Sequence, residues 1–216
     1  MRTADVPAQP WLNGGGVTRE LLARPGRDGW QVRVSVADVE ADGPFSAFAG
    51  VSRWFAVLDG AGVVLTTDGV EHRCGPRDDA VAFAGDAATQ ARLVDGPTRD
   101  LNLMLRGVRG GLARVVPGAT WRPGTRECGL YATTAGNCAE VARNDSFEAA
   151  SSSVGVPASA SASAFASASV SASVSASAST SASMPAHALR WWPDAPAAIA
   201  FDGTGWWLSA DTEPAP

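Results

Sequence analysis

The sequence predicts an all-β fold of the sandwich or barrel type, on three observations. Its 23 glycines and 14 prolines divide 216 residues into short β-rich runs, with a turn signal about every ten residues. Residues Trp30–Ala37 alternate strictly between apolar and more polar positions, as a half-buried strand does. Asp59–Gly62 separates two β-rich runs and predicts a hairpin turn.

In the first half, six runs have the composition of strands. They are Trp30–Ala37, Trp54–Leu58, Val63–Thr67, Val81–Phe83, Ala91–Val94 and Asp100–Arg106. The last run also alternates, because its three leucines share one face and its polar residues share the other. The polar face carries Asp100, Asn102, Met104 and Arg106.

After Arg106 the chain continues with short β-rich runs of similar composition. The predicted strands are Leu112–Val116, Glu127–Thr133, Asn137–Val141, Leu189–Trp192, Ala198–Phe201 and Gly205–Ser209. The four tryptophans of the last three runs need a covering surface, so we expect these strands to pack back on the second half of the chain.

A Ser/Ala-rich segment, residues 150–184, interrupts the second half. It offers few large side chains to bury, so it does not offset an ordering cost of about 1–2 kcal/mol per residue. We expect a disordered insert within the second unit, rather than a linker between independent domains.

Composition excludes several classes of protein. The net charge of −5 argues against a nucleic-acid partner. The three cysteines form no zinc motif and are expected to be reduced thiols. No run is long enough to span a bilayer, and the first residues lack a signal core. We therefore expect a cytoplasmic protein.

Histidine is scarce, which limits the chemistry available. His72 and His187 lie far apart, and a metal-binding barrel presents two or three histidines together with a carboxylate. We expect no metal, no cofactor and no Ser-His-Asp triad. Glu20, Asp100 and Tyr131 are the loose candidates for an acid–base pair.

The polar faces of two strands are the best candidate for a site. Arg33 and Ser35 share one face, and Asp100, Asn102 and Met104 share the other. If these faces point outward, they are merely solvated; if they point inward, they line a small polar cavity with an arginine suited to a carboxylate. The alternation alone leaves both orientations open.

Several motifs of the first half occur in an order that resembles the HutD/Ves family. The segment Trp11–Glu20 is similar to that family's W-x-N-G-G-G-x-T-R-E opening, and Arg33–Ala37 to its R-x-S-x-A strand. Further similar elements are Asp42–Ser46 with Phe48, Gly50 and Arg53, then Phe83–Asp86 and Asp100–Met104. The second half shows only a loose likeness.

The resemblance implies a bicupin, an RmlC-like fold of two pseudo-repeated β-barrels without metal ligands. Residues 1–107 would form the barrel that carries the motifs. Residues 108–216 would form a degenerate second barrel, interrupted at 150–184. The resemblance also implies a role in histidine utilisation, in which the protein binds a carboxylate intermediate such as urocanate or N-formylglutamate and limits flux. No catalytic activity is firmly attached to the family.

We therefore expect a ligand-binding regulatory protein rather than an enzyme, acting on a small carboxylate without nucleic acid or membrane, and with homodimerisation left open. Arg33 and Arg53 would anchor the anion. The other pocket residues would be Trp11, Asn13, Thr18, Ser46, Asn102 and Met104. The alternatives are a metal-independent cupin enzyme of the epimerase or isomerase type, and an interaction protein that uses the Ser/Ala segment as a tether.

Overall fold

A computed structural model describes residues 1–26, 29–142 and 179–212, and nearly all of their regular structure is antiparallel β-sheet. The first half contains ten strands: Gln9–Pro10 (β1), Gly16–Gly26 (β2), Gly29–Val39 (β3), Gly43–Pro44 (β4), Val51–Asp59 (β5), Val63–Thr67 (β6), Val70–Cys74 (β7), Val81–Ala84 (β8), Thr89–Leu93 (β9) and Thr98–Arg106 (β10). The second half contains eight: Arg109–Arg114 (β11), Thr120–Trp121 (β12), Glu127–Ala132 (β13), Gly136–Val141 (β14), Ser179–Met184 (β15), Ala188–Trp192 (β16), Ala198–Phe201 (β17) and Gly205–Asp211 (β18). The all-β prediction is confirmed.

The strands form two barrels of two sheets each. In the first barrel, a six-stranded sheet in the order β1-β2-β3-β10-β5-β8 faces a four-stranded sheet in the order β4-β9-β6-β7. In the second, a sheet in the order β11-β18-β13-β16 faces one in the order β12-β17-β14-β15. The core of each barrel lies between its two sheets.

The two faces of each alternating strand lie in different surroundings. Val34 on β3 and Leu103 on β10 are opposite each other and fully buried, and they pack in one cluster with Trp206 and Leu208 of the second barrel. The apolar faces therefore form a core shared by the two barrels. The opposite faces of the same strands point into the first barrel.

The interior of the second barrel holds a cluster of buried, mostly apolar side chains. Its buried cluster contains Val115, Cys128, Leu130, Ala132, Cys138, Met184, Ala188, Trp192, Ala195, Ile199, Phe201 and Trp207. Trp207 stacks on Trp121, with ring centroids 4.8 Å apart. The tail strands pair with β11 and β13, so the prediction that the tail packs back on the second half is confirmed.

The Ser/Ala-rich segment needs a correction at its end. Residues 143–178 lie outside the described part of the chain, and with them most of the expected insert. Ser179–Met184, however, form β15, which pairs along its whole length with β14. The expectation of disorder through residue 184 is wrong for these six residues, because the preformed edge of β14 supplies the hydrogen bonds that the segment lacks by itself.

A buried carboxylate joins the two barrels. Glu127 on β13 accepts hydrogen bonds from Arg24 of β2 at 3.0 and 3.1 Å, and from Trp191 Nε1 and Thr212 Oγ1. Burial raises the pKa of Glu127, but the hydrogen bonds from Thr212, Trp191 and Arg24 outweigh it and hold that pKa below its usual value. This clamp fixes the orientation of one barrel on the other.

The first residues of the chain form a strap, defined here as Thr3–Asp5, which lies against the second barrel. The Thr3 amide donates to the carbonyl of His187, and the Thr3 hydroxyl lies 3.0 Å from the hydroxyl of Tyr131. Both ends of the described chain therefore contribute to the packing of the second barrel.

The described residues contain no helix with the length and apolar character needed to cross a bilayer. The three cysteines are buried and free of disulfides.

Candidate functional site

The first barrel contains a cavity of about 500 Å³ between its two sheets. All eight residues singled out in the sequence line it: Trp11, Asn13, Thr18, Arg33, Ser46, Arg53, Asn102 and Met104. The two polar strand faces therefore point inward, which settles the orientation that the alternation alone left open.

Sequence reasoning missed other residues that line the cavity. Phe45, Phe48 and Phe55 are the largest of them. Ser35, which the sequence analysis placed on the polar face of β3 with Arg33, also lines the cavity. Phe45 and Phe48 follow Gly43-Pro44 in the segment that carried the family resemblance, so their spacing was a usable signal. Nothing in the sequence marks Gln9 as a lining residue, because β1 is two residues long.

Strand β10 sets the spacing of the polar groups. Met104 lies opposite Arg33 on β3 and opposite Arg53 on β5, so the two arginines flank one methionine. Two residues further along, Asn102 lies opposite Ser35 and Phe55 in the same way. Since side chains of directly opposed residues share a face, these two rows form the wall of the cavity.

Arg53 is the most deeply placed charge in the cavity, with only 5% of its surface exposed. Its Nη2 donates to Asn102 Oδ1 at 3.2 Å, and its Nη1 donates to the carbonyl of Ser46 at 3.3 Å. Nε is buried without a hydrogen-bond partner in the described structure. Because a guanidinium offers five N–H donors, several remain for a ligand.

Three aromatic rings surround the Arg53 guanidinium. Its central carbon lies 5.0 Å from the ring centre of Phe45, 5.7 Å from Phe48 and 5.1 Å from Phe83. Burial, followed by repulsion from Arg33, lowers the pKa of Arg53 to about 10. The group therefore stays charged at neutral pH, and the rings hold its plane in a fixed orientation.

Arg33 has a different environment. Its Nε donates to Glu20 Oε2 at 2.6 Å, and its side chain is 19% exposed. Glu20 lies on β2 directly opposite Ser35, so its side chain is on the cavity side of that strand. The two arginines that flank Met104 thus differ in one respect: Arg33 has a carboxylate partner and Arg53 has none among the described residues.

The glycine-rich turn forms one side of the opening. Trp11 Nε1 donates to Thr18 Oγ1 at 2.7 Å, and the Trp11 amide donates to the carbonyl of Gly16. Asn13 Oδ1 accepts from the amide of Gly15, and Gly14 has a φ of +69° that favours glycine. The turn therefore places Trp11 and Asn13 at the cavity with backbone geometry fixed by the sequence.

The candidate acid–base residues are dispersed. Asp100 is fully buried beyond the lining residues, where Thr98 Oγ1 donates to its Oδ2 and its Oδ1 has no partner in the described structure. Burial, and then the charge of Asp38, raises the pKa of Asp100 to about 8 despite the Thr98 hydrogen bond. Tyr131 lies in the core between the barrels. Neither lines the cavity, and the third candidate, Glu20, lies beside it in a pair with Arg33, so the three do not come together as an acid–base pair.

The described residues also contain no cluster of three His, Cys, Asp or Glu side chains that could hold a metal ion. The lining residues are amides, hydroxyls, aromatic rings, aliphatic side chains, one methionine and two guanidiniums. Such a set can bind and orient an anion, and the carboxylate beside it, Glu20, is paired with Arg33.

Comparison with known proteins places this geometry in a family. Residues 3–118 match the model of the HutD family. An uncharacterized 21.2 kDa protein in the hutC 3′ region of Pseudomonas putida is 42% identical over 106 residues, which cover 48% of this chain and 56% of that protein. The protein Ves of Citrobacter koseri is 33% identical over 142 residues, covering 56% of this chain and 73% of its own length. The chain thus spans little more than half the length of the first of these relatives.

Solved structures extend the likeness to both barrels. HutD from Pseudomonas fluorescens superposes with a TM-score of 0.73 at 23% identity, covering 98% of this chain and 97% of that one. An oxalate decarboxylase from Bacillus subtilis superposes with a TM-score of 0.58 at 9% identity, over 100% of this chain and 77% of that one. The fold is therefore the two-barrel cupin fold.

Proposed function

Because this chain belongs to the HutD family, we propose that it binds a small carboxylate metabolite of histidine degradation in the cavity of its first barrel and limits flux through that pathway. Urocanate and N-formylglutamate represent the proposed ligand class. The regulatory role follows the family and the hutC-region relative, and the ligand class follows the cavity. We expect the protein to act in the cytoplasm.

One observation carries the ligand assignment: Arg53 is a buried cation inside a cavity, and no carboxylate of the described residues pairs with it. An uncompensated buried charge costs several kcal/mol, so it is retained where it meets a counter-charge. Its remaining N–H donors match the two oxygens of a carboxylate, which accepts parallel hydrogen bonds from a guanidinium.

The rest of the cavity suits a small, partly apolar molecule. Its volume of about 500 Å³ lies within the range of small-molecule sites. Phe55 and Met104 supply apolar surface, while Ser35 and Asn13 supply polar groups at separate points of the lining. A ligand held at Arg53 by its carboxylate would place its other end near Arg33 and the glycine-rich turn.

Calorimetry with urocanate and N-formylglutamate tests the proposal. A ligand present at 100 times its Kd should also stabilise the protein by about 2.7 kcal/mol, which a thermal-shift assay detects easily. Arg53→Met should weaken binding by about 100-fold, because it removes a charge-assisted pair in a water-poor site. Arg109→Met, at an exposed arginine of the second barrel, is the matched control and should bind as the wild type does.

The proposal is wrong if the wild-type protein responds to neither acid at concentrations well above a millimolar. It is also wrong in its choice of site if Arg53→Met and Arg109→Met bind equally well.

A further inference from the structure

We infer that Glu20 restricts the cavity to ligands that carry a single negative charge, by neutralising Arg33 and leaving Arg53 as the sole uncompensated cation of the described lining. The inference rests on the proposed function, since it assumes that the cavity holds a carboxylate. It divides the proposed ligand class, because urocanate carries one carboxylate and N-formylglutamate carries two.

The position of Glu20 is fixed by the sheet. On β2, Thr18 lies opposite Ala37 and Glu20 lies opposite Ser35, and both partners on β3 line the cavity. A bulge between Glu20 and Leu22 then shifts the register of β2. The carboxylate therefore stays at the cavity wall, 2.6 Å from Arg33 Nε, with 36% of its side chain exposed.

The charges of the cavity can be counted from the described residues. Its lining contains two charged side chains, Arg33 and Arg53, and Glu20 is the carboxylate paired with the first. Asp100, the next inward position on β10, lies outside the lining, and burial raises its pKa to about 8, so it is largely uncharged at neutral pH. The local sum is one positive charge, which lies on Arg53.

A ligand with one carboxylate brings the local sum of charges in the cavity to zero. A second carboxylate would approach Arg33, where Glu20 already occupies the guanidinium edge, and two carboxylates at one cation repel each other. Water screens this repulsion only in part, because the Arg33 side chain is 19% exposed and that of Glu20 is 36% exposed. Like-charge contacts of this kind select against the wrong partner more than they strengthen the right one.

The test compares two acids that differ in one group. N-formylglutamate carries two carboxylates, whereas N-formylglutamine has a carboxamide in place of the second. The wild-type protein should bind N-formylglutamine about ten-fold more tightly, as measured by calorimetry at low salt. Glu20→Gln should bring the two affinities to within about two-fold, mainly by tightening the binding of N-formylglutamate.

Two further variants separate a charge effect from a structural one. Asp211→Asn removes a carboxylate from the exposed Arg109 pair of the second barrel and should leave the wild-type ratio unchanged. The double variant Glu20→Gln/Arg33→Gln restores the local sum of one positive charge and should return the ratio towards its wild-type value, even if both affinities fall.

The inference is overturned if the wild type binds N-formylglutamate as tightly as N-formylglutamine, or if Glu20→Gln leaves the ratio unchanged. In either case the proposed carboxylate site would stand. Failure of both acids and of urocanate to bind would instead overturn the proposed function, and the inference with it.

Discussion

The two barrels share one architecture but use their interiors in opposite ways. In the first, the inward positions of β3, β5 and β10 include Arg33, Arg53 and Asn102, and a cavity remains between the sheets. In the second, Leu130 and Phe201 fill the corresponding space together with other apolar side chains. The inward polar residues of the first barrel thus line a cavity, whereas the inward residues of the second barrel pack against one another in an apolar cluster.

The largest loss of stability should follow from truncating a large side chain in the core of the second barrel. Phe201 is fully buried, and its ring lies so close to Gly136 and Gly203 that a Cβ at either position would collide with it. Phe201→Ala should lower the free energy of unfolding by about 3–5 kcal/mol, because the tightly packed surroundings relax only partly. Urea denaturation measures the loss.

A large-to-small substitution in the first barrel compares the contribution of interior packing in the two barrels. Met104→Ala removes a side chain that borders an existing cavity, so it should cost clearly less than Phe201→Ala. Equal losses in the two variants would show that the first barrel depends on its interior packing as much as the second does.

A smaller loss should follow from weakening the clamp between the barrels. Glu127→Gln retains the shape of the side chain but removes the charge that pairs with Arg24, so it should destabilise the protein by about 1.5–3 kcal/mol. Denaturation followed by probes in each barrel would also show whether the two barrels still unfold together. Asp211→Asn, at an exposed pair, should cost less than about 1 kcal/mol. A Glu127→Gln variant as stable as the control would mean that the shared apolar core alone fixes the interface.

Substitution of Arg53 should show that the buried charge in the cavity lowers the stability of the ligand-free protein. Replacing a buried, uncompensated cation by an apolar side chain of similar length removes a desolvation cost, so ligand-free Arg53→Met should be as stable as the wild type or more stable, by up to about 2 kcal/mol. Thermal denaturation without ligand checks this. A marked loss of stability would indicate that the three surrounding rings depend on the guanidinium for their packing.

The raised pKa of Asp100, a residue of the first barrel, predicts that the stability of the folded protein depends on pH. Its folded-state pKa of about 8 lies above the value for an unfolded chain, so the folded state holds an extra proton. That contribution is fully present below the unfolded pKa and is lost as pH rises through 8. Asp100→Asn should therefore remove a stability loss of at least about 1 kcal/mol between pH 5 and pH 9.

The measurement is urea denaturation across that pH range. Asp95→Asn, at an exposed position, should keep the pH profile of the wild type. If the profile of Asp100→Asn also matches that of the wild type, the buried carboxyl does not titrate in this range.

The sequence predicted the structure best where the alternation of apolar and polar residues was uninterrupted. Strict alternation identified the two faces of β3 and β10. It predicts half-buried strands, whereas residues 100–105 of β10 are buried on both faces, because the polar face points into the first barrel. The fold was therefore predictable once the family motifs indicated two barrels. The position of Arg53 in the cavity followed from the same motifs.

Other features depend on contacts that no local pattern reports. Strand β2 was not predicted as a strand, because the bulge after Glu20 breaks its alternation, and the Glu20–Arg33 pair was missed for the same reason. Strand β7 was missed because it is a polar edge strand. Strand β15 forms only because β14 provides a partner, which a low-complexity sequence does not reveal.

The strap Thr3–Asp5 has a consequence for the order of events during synthesis. These residues are synthesised before nearly all of the described chain, yet their partner His187 lies on a loop that emerges only after the first barrel is complete. Domains that are made first generally fold first, and contacts between distant residues form late. The strap can therefore dock only after the turn that carries His187 has been made, so its contacts with the second barrel form late in the folding of the described chain.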